Sequence, residues 1–135
     1  IVFRRQRGLH KHTHMLSQES FIKASCTVWG VYAVQMLATP KMLTESHFHD
    51  ASTPLSVWLT RATSCSAFAA IAAVLKLETA EAYKIVLPWI VATGLLYPWS
   101  AKLGLFSEVK PKYPIHYVPE TLFVILPAMG LLAGM

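Results

Sequence analysis

A single arginine stands inside one of the longest apolar stretches of the chain. The stretch, PLSVWLTRATSCSAFAAIAAVL, runs over residues 54–75, and Arg61 is its only charged residue. A guanidinium within a membrane-spanning helix either reaches toward the nearer water or finds a partner on a neighbouring helix. One expectation is that Arg61 stacks on Trp58 while it snorkels. A second is that it pairs with Glu120 or Gln35, and a third is that it binds an anionic or carbonyl-bearing ligand such as a lipid phosphate, a quinone or a pigment.

Histidine forms two local clusters that contain ligand types suited to zinc or copper. The stretch HKHTH places His10, His12 and His14 at every second position. The stretch ESHFHD offers a second set of possible ligands, Glu45, His47, His49 and Asp50. Neither stretch has the spacing of a known structural zinc motif, so both are expected to be solvated polar segments and no metal site is predicted.

Several side chains are of types that can ligate the metal of a chlorophyll or a haem, namely Gln35, His47, His49, His116 and Glu120. No histidine falls inside a predicted membrane span, which disfavours a haem held by two histidines. Chlorophyll is less demanding, because water or a backbone carbonyl can ligate its metal. The cofactors expected from the sequence are therefore chlorophyll or carotenoid, together with bound lipid.

The elements that must position these residues are apolar helices. The chain has 135 residues, of which 54% are hydrophobic and only 14% charged, about half the charged share of a soluble domain. A basic tail over residues 1–19 precedes a transmembrane domain over 20–135, with helices predicted at 21–39, 54–75, 80–102 and 119–135. The predicted fold is an all-α polytopic membrane protein with four transmembrane helices in an up-down bundle, the fourth short or re-entrant.

Local signals set the predicted helix ends. Pro40 ends the first helix, and Pro54 opens the second, with Ser52 and Thr53 as candidates for its cap. The short turn LETAE makes the second and third helices antiparallel. Pro88 is expected to kink the third helix, since proline removes a backbone donor.

Two small-residue patterns predict close helix packing. The second helix carries a stripe at three- and four-residue spacing, formed by Ala62, Ser66, Ala69, Ala70 and Ala73. Gly130 and Gly134 form a G-x-x-x-G pattern in the fourth helix. Small side chains let helix backbones approach closely, and the partner helix can belong to this chain or to another.

The charge distribution predicts the orientation. The net charge of +5 is concentrated on the face of the termini, which holds Arg4, Arg5, Arg7, Lys11, Lys23, Lys76 and Lys84, whereas the loop face holds Lys41, Lys102, Lys110 and Lys112. The positive-inside rule then places the termini on the stromal, matrix or cytoplasmic side. The start at Ile1, followed by a basic, acid-free stretch, is typical of a processed organellar precursor or of a sequence that lacks its true N-terminus.

The sequence contains no nucleophile elbow, zinc-protease motif, phosphate-binding glycine loop or cluster of carboxylates within a span, which argues against an enzyme and a proton-coupled carrier. We expect a non-catalytic accessory subunit of a large organellar energy-conversion complex, whose partners are membrane lipids and other integral subunits rather than nucleic acid or a soluble substrate. A photosystem or antenna in the thylakoid membrane is favoured. The alternatives are a mitochondrial respiratory or ATP synthase subunit in the inner membrane, and a small-solute or lipid transporter.

Overall fold

Helices account for all of the regular structure in the part of the chain that is described. A computed structural model describes residues 17–105 and 108–135, and within them the only β pairing is an isolated antiparallel bridge between Phe48 and Pro111. The predicted all-α class is confirmed. Most of the predicted basic tail and the whole HKHTH cluster lie outside the described residues.

The described elements are α-helices of different lengths and one π-helical turn. In chain order they are α1 (Gln18–Ala38), α2 (Pro40–His47), α3 (Pro54–Val74), α4 (Thr79–Gly94), a π-helical turn (Leu95–Trp99), α5 (Ser100–Leu103) and α6 (Tyr117–Ala133). The predicted helices 21–39 and 54–75 fall on α1 and α3, the predicted helix 80–102 falls on α4 with the π turn and α5, and the predicted helix 119–135 falls on α6. Two of these helices, α1 and α3, are long and apolar enough to cross a membrane, and α6 is apolar but shorter.

Side-chain caps set the starts of the two longest helices. The Ser17 hydroxyl accepts a hydrogen bond from the Ser20 backbone N–H at 3.1 Å and so satisfies a free donor at the start of α1. At the start of α3, Thr53 and Ser56 cap each other reciprocally, and Pro54 occupies the first helical turn. The predicted start of the second helix corresponds to this arrangement.

Helix α2 lies between the first two predicted helices, where the sequence predicts none. Pro40 ends α1, as expected, but it also opens α2 as a residue of that helix's first turn. Proline serves both purposes, because it cannot continue a helix but is favoured at the first position of the next one. The prediction that no helix lies between residues 39 and 54 is therefore wrong for Pro40–His47, and the irregular segment before α3 is confined to residues 48–53.

The main departure from regular α-helix lies at Pro98 and not at Pro88. Helix α4 continues as an α-helix through Pro88. Around Pro98 the backbone takes a π-helical turn, in which the Ser100 N–H bonds to the Leu95 carbonyl five residues earlier. Such a wide turn accommodates a proline, which has no N–H to donate, and then lets the helix resume as α5.

Helix α1 lies at the centre of the bundle and packs against α3, α4 and α6. Helix α3 packs mainly on α1 and only sparsely on α4. The contacts bring the starts of α1 and α4 together with the ends of α3 and α6, so successive long helices run in opposite directions. We call this end of the bundle the apolar end, and the opposite end, where α2 and residues 108–116 lie, the loop end.

The apolar end is closely packed. Its buried residues are Phe21, Ile22, Cys26, Val74, Ala82, Val86 and Leu126. Gly130 allows the closest approach, since a Cβ there would meet Leu87 Cδ1 at 2.6 Å and the Phe21 ring at 2.9 Å. The Tyr83 hydroxyl donates to the Gly130 carbonyl at 2.9 Å and ties α4 to α6.

Candidate functional site at the loop end

A buried carboxylate organises the loop end. Glu120, in the first turn of α6, is only 4% exposed. Lys102 reaches it from the last turn of α5 with its Nζ 2.5 Å from Oε2, and the Tyr113 hydroxyl donates to Oε1 at 2.7 Å. Both carboxylate oxygens are thus engaged, which offsets the cost of removing the charge from water.

Helix ends bring these three side chains together. Gly104 ends α5 in a left-handed conformation, with φ at +64°, directly after the turn that carries Lys102. The chain returns through residues 108–116 and enters α6 at Tyr117. Because α5 ends and α6 begins at the same end of the bundle, Lys102 and Glu120 lie at the same level.

His116 fills the space beneath this ion pair and has no exposed surface. Its ring is surrounded by other rings, with centroid distances of 5.0 Å to Phe48, 6.0 Å to Tyr97, 6.1 Å to Tyr113 and 6.2 Å to His47. Both of its ring nitrogens are buried without a hydrogen bond to any described residue.

The surroundings of His116 and Tyr113 shift the pKa values of both side chains. Burial lowers the pKa of His116, which favours the neutral imidazole. Glu120 and the Pro98 carbonyl oppose this shift, although that carbonyl does not meet the geometry of a hydrogen bond to the ring. The hydrogen bond to Glu120 raises the pKa of Tyr113 to about 12, so Tyr113 stays a neutral donor.

Backbone pairing joins the two segments that carry the histidines. The Lys112 N–H donates to the His47 carbonyl at 2.8 Å, and the His49 N–H donates to the Lys110 carbonyl at 2.9 Å. The Nδ1 atom of His47 lies 3.0 Å from both the Leu43 carbonyl and the Ser46 hydroxyl. The end of α2 is therefore fixed against the segment that leads into α6.

A cavity of about 420 Å³ lies beside this cluster, between α1, α3 and the π turn. Its walls are rich in aromatic rings, contributed by Trp29, Tyr32, Phe48, Tyr97 and Phe123. Phe48 and Tyr97 face both the cavity and His116, so they form the partition between the two. The volume is within the usual range for sites that bind small molecules.

Three of the five residues predicted as pigment ligands meet at the loop end. His47, His116 and Glu120 are buried there, whereas Gln35 and His49 are exposed. Glu120 is already held by Lys102 and Tyr113, and the nitrogens of His116 are enclosed. Among residues 17–105 and 108–135, no group of three or more His, Cys, Asp or Glu side chains converges as a metal site would require.

Arg61 lies on the surface, in a groove between α3 and α2 that Lys41 and Glu45 also line. It forms no ion pair with Glu120, which binds Lys102 instead, and none with any other residue in the described ranges. Nor does Arg61 stack on Trp58, whose side chain is 64% exposed. The cation–π contacts at this end belong to Lys102, which lies 5.1 Å from the Trp99 ring and 5.9 Å from the Tyr117 ring.

The two small-residue patterns have different surroundings. Gly130 and Gly134 lie against α4, where Leu87 and Tyr83 approach them closely. The α3 stripe turns outward, because Ala62, Ser66, Ala69 and Ala73 are exposed and Ala70 is half-buried. Helix α3 meets α1 through other positions, of which Ser64, Ala67 and Val74 are buried.

The sequence reasoning missed the pairing of Lys102 with Glu120 and Tyr113. The sequence places Lys102 only among the cations of the loop face, and it predicts Glu120 as a partner for Arg61. The signal was present, because an up-down arrangement puts the end of the third segment and the start of the fourth at the same level.

Comparison with protein families, with curated proteins and with solved structures finds no match to this chain.

Proposed function

We propose that the protein is a non-catalytic integral membrane subunit that packs against other helices through the outward face of α3. The observation that carries this proposal is the exposure of an apolar, 21-residue helix that is capped at its start and buried mainly along its α1 side. A helix of this length spans the hydrocarbon core of a bilayer. Its outward small residues leave room for the backbone of a partner helix.

Large apolar side chains elsewhere on the surface support a lipid environment. Exposed examples on α1, α4, the π turn and α6 include Val31, Ile85, Leu96, Val124, Ile125 and Leu131. Soluble monomers rarely expose apolar surface of this extent, whereas hydrocarbon tails solvate it without cost. In this proposal α4 with its π turn and α6 also lie within the bilayer, beside α1 and α3.

The finer assignment rests on the sequence. The proposed location is an organellar membrane, with the thylakoid favoured over the mitochondrial inner membrane and the termini on the stromal or matrix side. The complex in question would be a photosystem or antenna assembly, in which the chain bridges neighbouring subunits and contacts lipid or pigment. The support is the excess of cations on the face of the termini and the tryptophans and tyrosines at the loop face.

The test uses the full chain in its own membrane, solubilised in mild detergent and separated on a native gel. Wild type is expected to migrate in a large complex, and Ala69→Leu is expected to release it, because a leucine on the outward face of α3 keeps the partner helix away. Ala128→Leu is the matched control, since Ala128 is also exposed but lies on α6. A visible absorption spectrum of the complex distinguishes the organelles: a chlorophyll band supports the thylakoid assignment, and a colourless complex favours the respiratory membrane.

Two results would contradict the proposal. One is a wild-type chain that migrates alone in every mild detergent while it keeps its helical circular dichroism spectrum. The other is an Ala69→Leu variant that remains in the complex as fully as Ala128→Leu does.

A further inference from the structure

We propose that the loop-end cavity binds a neutral, lipid-soluble molecule that carries a ring and a carbonyl oxygen, as a quinone does. This inference rests on the membrane location in the proposed function but not on the packing role of α3. The chemical class of the occupant is inferred from three properties of the cavity wall, which are its lack of charge, its unpartnered hydroxyls and its aromatic surface.

Among residues 17–105 and 108–135, no charged side chain lines the cavity. The nearest buried charge among the described residues, that of Glu120, is paired with the partly exposed Lys102 on the far side of the partition made by Phe48 and Tyr97. An ionised ligand would lose its hydration in this space without gaining an opposite charge. The occupant is therefore neutral, which excludes lipid phosphate and fatty acid anions from this site.

Hydroxyl groups in the wall fall into two sets. Those of Thr44, Ser56, Thr60 and Thr63 donate to carbonyls of their own or a nearby turn, at 2.7–2.9 Å. Those of Tyr32, Thr93 and Tyr97 make no hydrogen bond to any residue in the described ranges.

A hydroxyl in a hydrocarbon environment is costly when it is unpartnered, because no water is at hand to bond it. The three free hydroxyls come from α1, α4 and the π turn, so they converge on the cavity from two sides. Thr93 and Tyr97 are four residues apart and face the same direction. All three can donate, and a carbonyl oxygen on the occupant supplies the acceptor that they lack.

The shape of the wall favours a flat ring. Aromatic side chains on three helices and on the segment after α2 present planar surfaces, and rings pack well against such surfaces. The cavity lies where α3 and α4 diverge, since both helices line it but pack only sparsely on each other. A lipid-soluble molecule therefore reaches it from the bilayer between these helices.

The test measures binding of decyl-benzoquinone to the full-length protein in detergent, by quenching of tryptophan fluorescence. Trp29 lies in the cavity wall and serves as the reporter. Decylbenzene, which has the same tail and a ring of the same size but no carbonyl, is the comparison probe in competition. We expect saturable quenching by the quinone and at least tenfold weaker competition by decylbenzene, because each carbonyl hydrogen bond contributes to affinity.

Hydroxyl deletions identify the contacts. Tyr97→Phe and Thr93→Val keep the shape of the wall, and each is expected to weaken quinone binding about three- to tenfold. Thr63→Val is the matched control, because it removes a hydroxyl of the same wall that already has a partner, and it is expected to leave the affinity unchanged.

The proposal is overturned if quenching does not saturate, or if decylbenzene competes as well as the quinone. The second result would make the occupant a lipid acyl chain. Equal effects of Thr93→Val and Thr63→Val would also contradict it. Both probe comparisons use the wild-type chain, so they stand even if a variant does not fold. They are also independent of the native-gel test, so failure of one proposal can be told from failure of the other.

Discussion

The two ends of the bundle are built on different physical principles. At the apolar end, Phe21, Val86 and Gly130 belong to a close-packed core without an internal charge. At the loop end, a buried carboxylate, a buried histidine and a cavity lie within one helical turn of each other. The apolar end is held mainly by complementary shape, whereas the loop end also contains an ion pair, an imidazole without a hydrogen bond to any described residue, and a cavity.

This contrast indicates that the apolar end contributes mainly to stability and the loop end mainly to binding. In a bilayer, helices associate through close packing rather than through release of water, so the apolar end is where packing can hold the helices together. The loop end leaves space and free hydroxyls, which a stable core would not tolerate. We therefore expect substitutions at the apolar end to change stability most, and those at the loop end to change it less while altering binding or pH response.

Truncation of Phe21 tests the apolar end most severely. Phe21→Ala is expected to lower the free energy of unfolding by about 3–5 kcal/mol, because the ring is fully buried and contacts Tyr83 edge-on at 5.9 Å. Phe68→Ala is the control, since Phe68 is exposed on α3. Unfolding in detergent, followed by circular dichroism, measures both. Equal losses for the two variants would show that burial within the bundle does not set stability.

A smaller loss is expected from a single added methyl group at Gly130. Gly130→Ala should cost about 2 kcal/mol, because the new Cβ forces the Phe21 ring and Leu87 to move. Gly30→Ala adds the same atom on α1, where nothing lies within 4 Å, and is expected to be neutral or stabilising. A destabilised Gly30→Ala variant, or a neutral Gly130→Ala variant, would refute close packing at this end.

Neutralising Glu120 tests the loop end. Glu120→Gln is expected to cost about 1–2 kcal/mol, less than for a fully buried pair, because Lys102 is 37% exposed at its side chain and can turn toward water. Glu45→Gln is the control, since Glu45 pairs with Lys41 on the surface at 3.7 Å and should contribute little. If the two variants unfold at the same denaturant concentration, the pairing of Lys102 with Glu120 has no structural role.

The sequence predicted the helices better than the contacts between them. Hydrophobic length and capping residues such as Thr53 and Pro54 act locally, so the long segments and the start of α3 could be predicted from them. The pairing of charged side chains depends on the tertiary structure and not on the local sequence. Arg61 is the most conspicuous charge in the sequence, yet it lies on the surface, while the less conspicuous Lys102 binds Glu120. Which face of a helix turns inward depends on packing with all the others, and the stretch around Arg61 is only weakly amphipathic, so it does not indicate that face.

The cavity could not be predicted for the same reason. Its free hydroxyls come from α1, α4 and the π turn, and the π turn itself depends on how Pro98 is accommodated. Proline in a span predicts some disturbance but not its form, which can be a kink, a π turn or a loss of helix. The sequence placed the disturbance at Pro88, where the α-helix continues.

The smallest expected effect is a pH dependence of stability that arises from His116 at the loop end. Because burial lowers the pKa of His116, the unfolded chain binds a proton more readily than the folded one, and stability is lost as the pH falls below the ordinary value of 6.5. Around the ring, Glu120 opposes this shift, while His47 and Lys102 strengthen it.

Thermal unfolding between pH 7.5 and 5.5 measures the response. The wild-type midpoint is expected to fall by a few degrees. The His116→Phe variant should lack the fall in midpoint that arises from protonation of His116. At pH 7.5 the substitution should leave stability unchanged or raise it, because a phenyl ring fits among Phe48, Tyr97 and Tyr113 and leaves no nitrogen unpartnered. His49→Asn, at an exposed histidine, should keep the wild-type profile. An unchanged pH profile in His116→Phe would show that the acid sensitivity arises elsewhere, and the contrast between the two ends would then rest on packing and the ion pair alone.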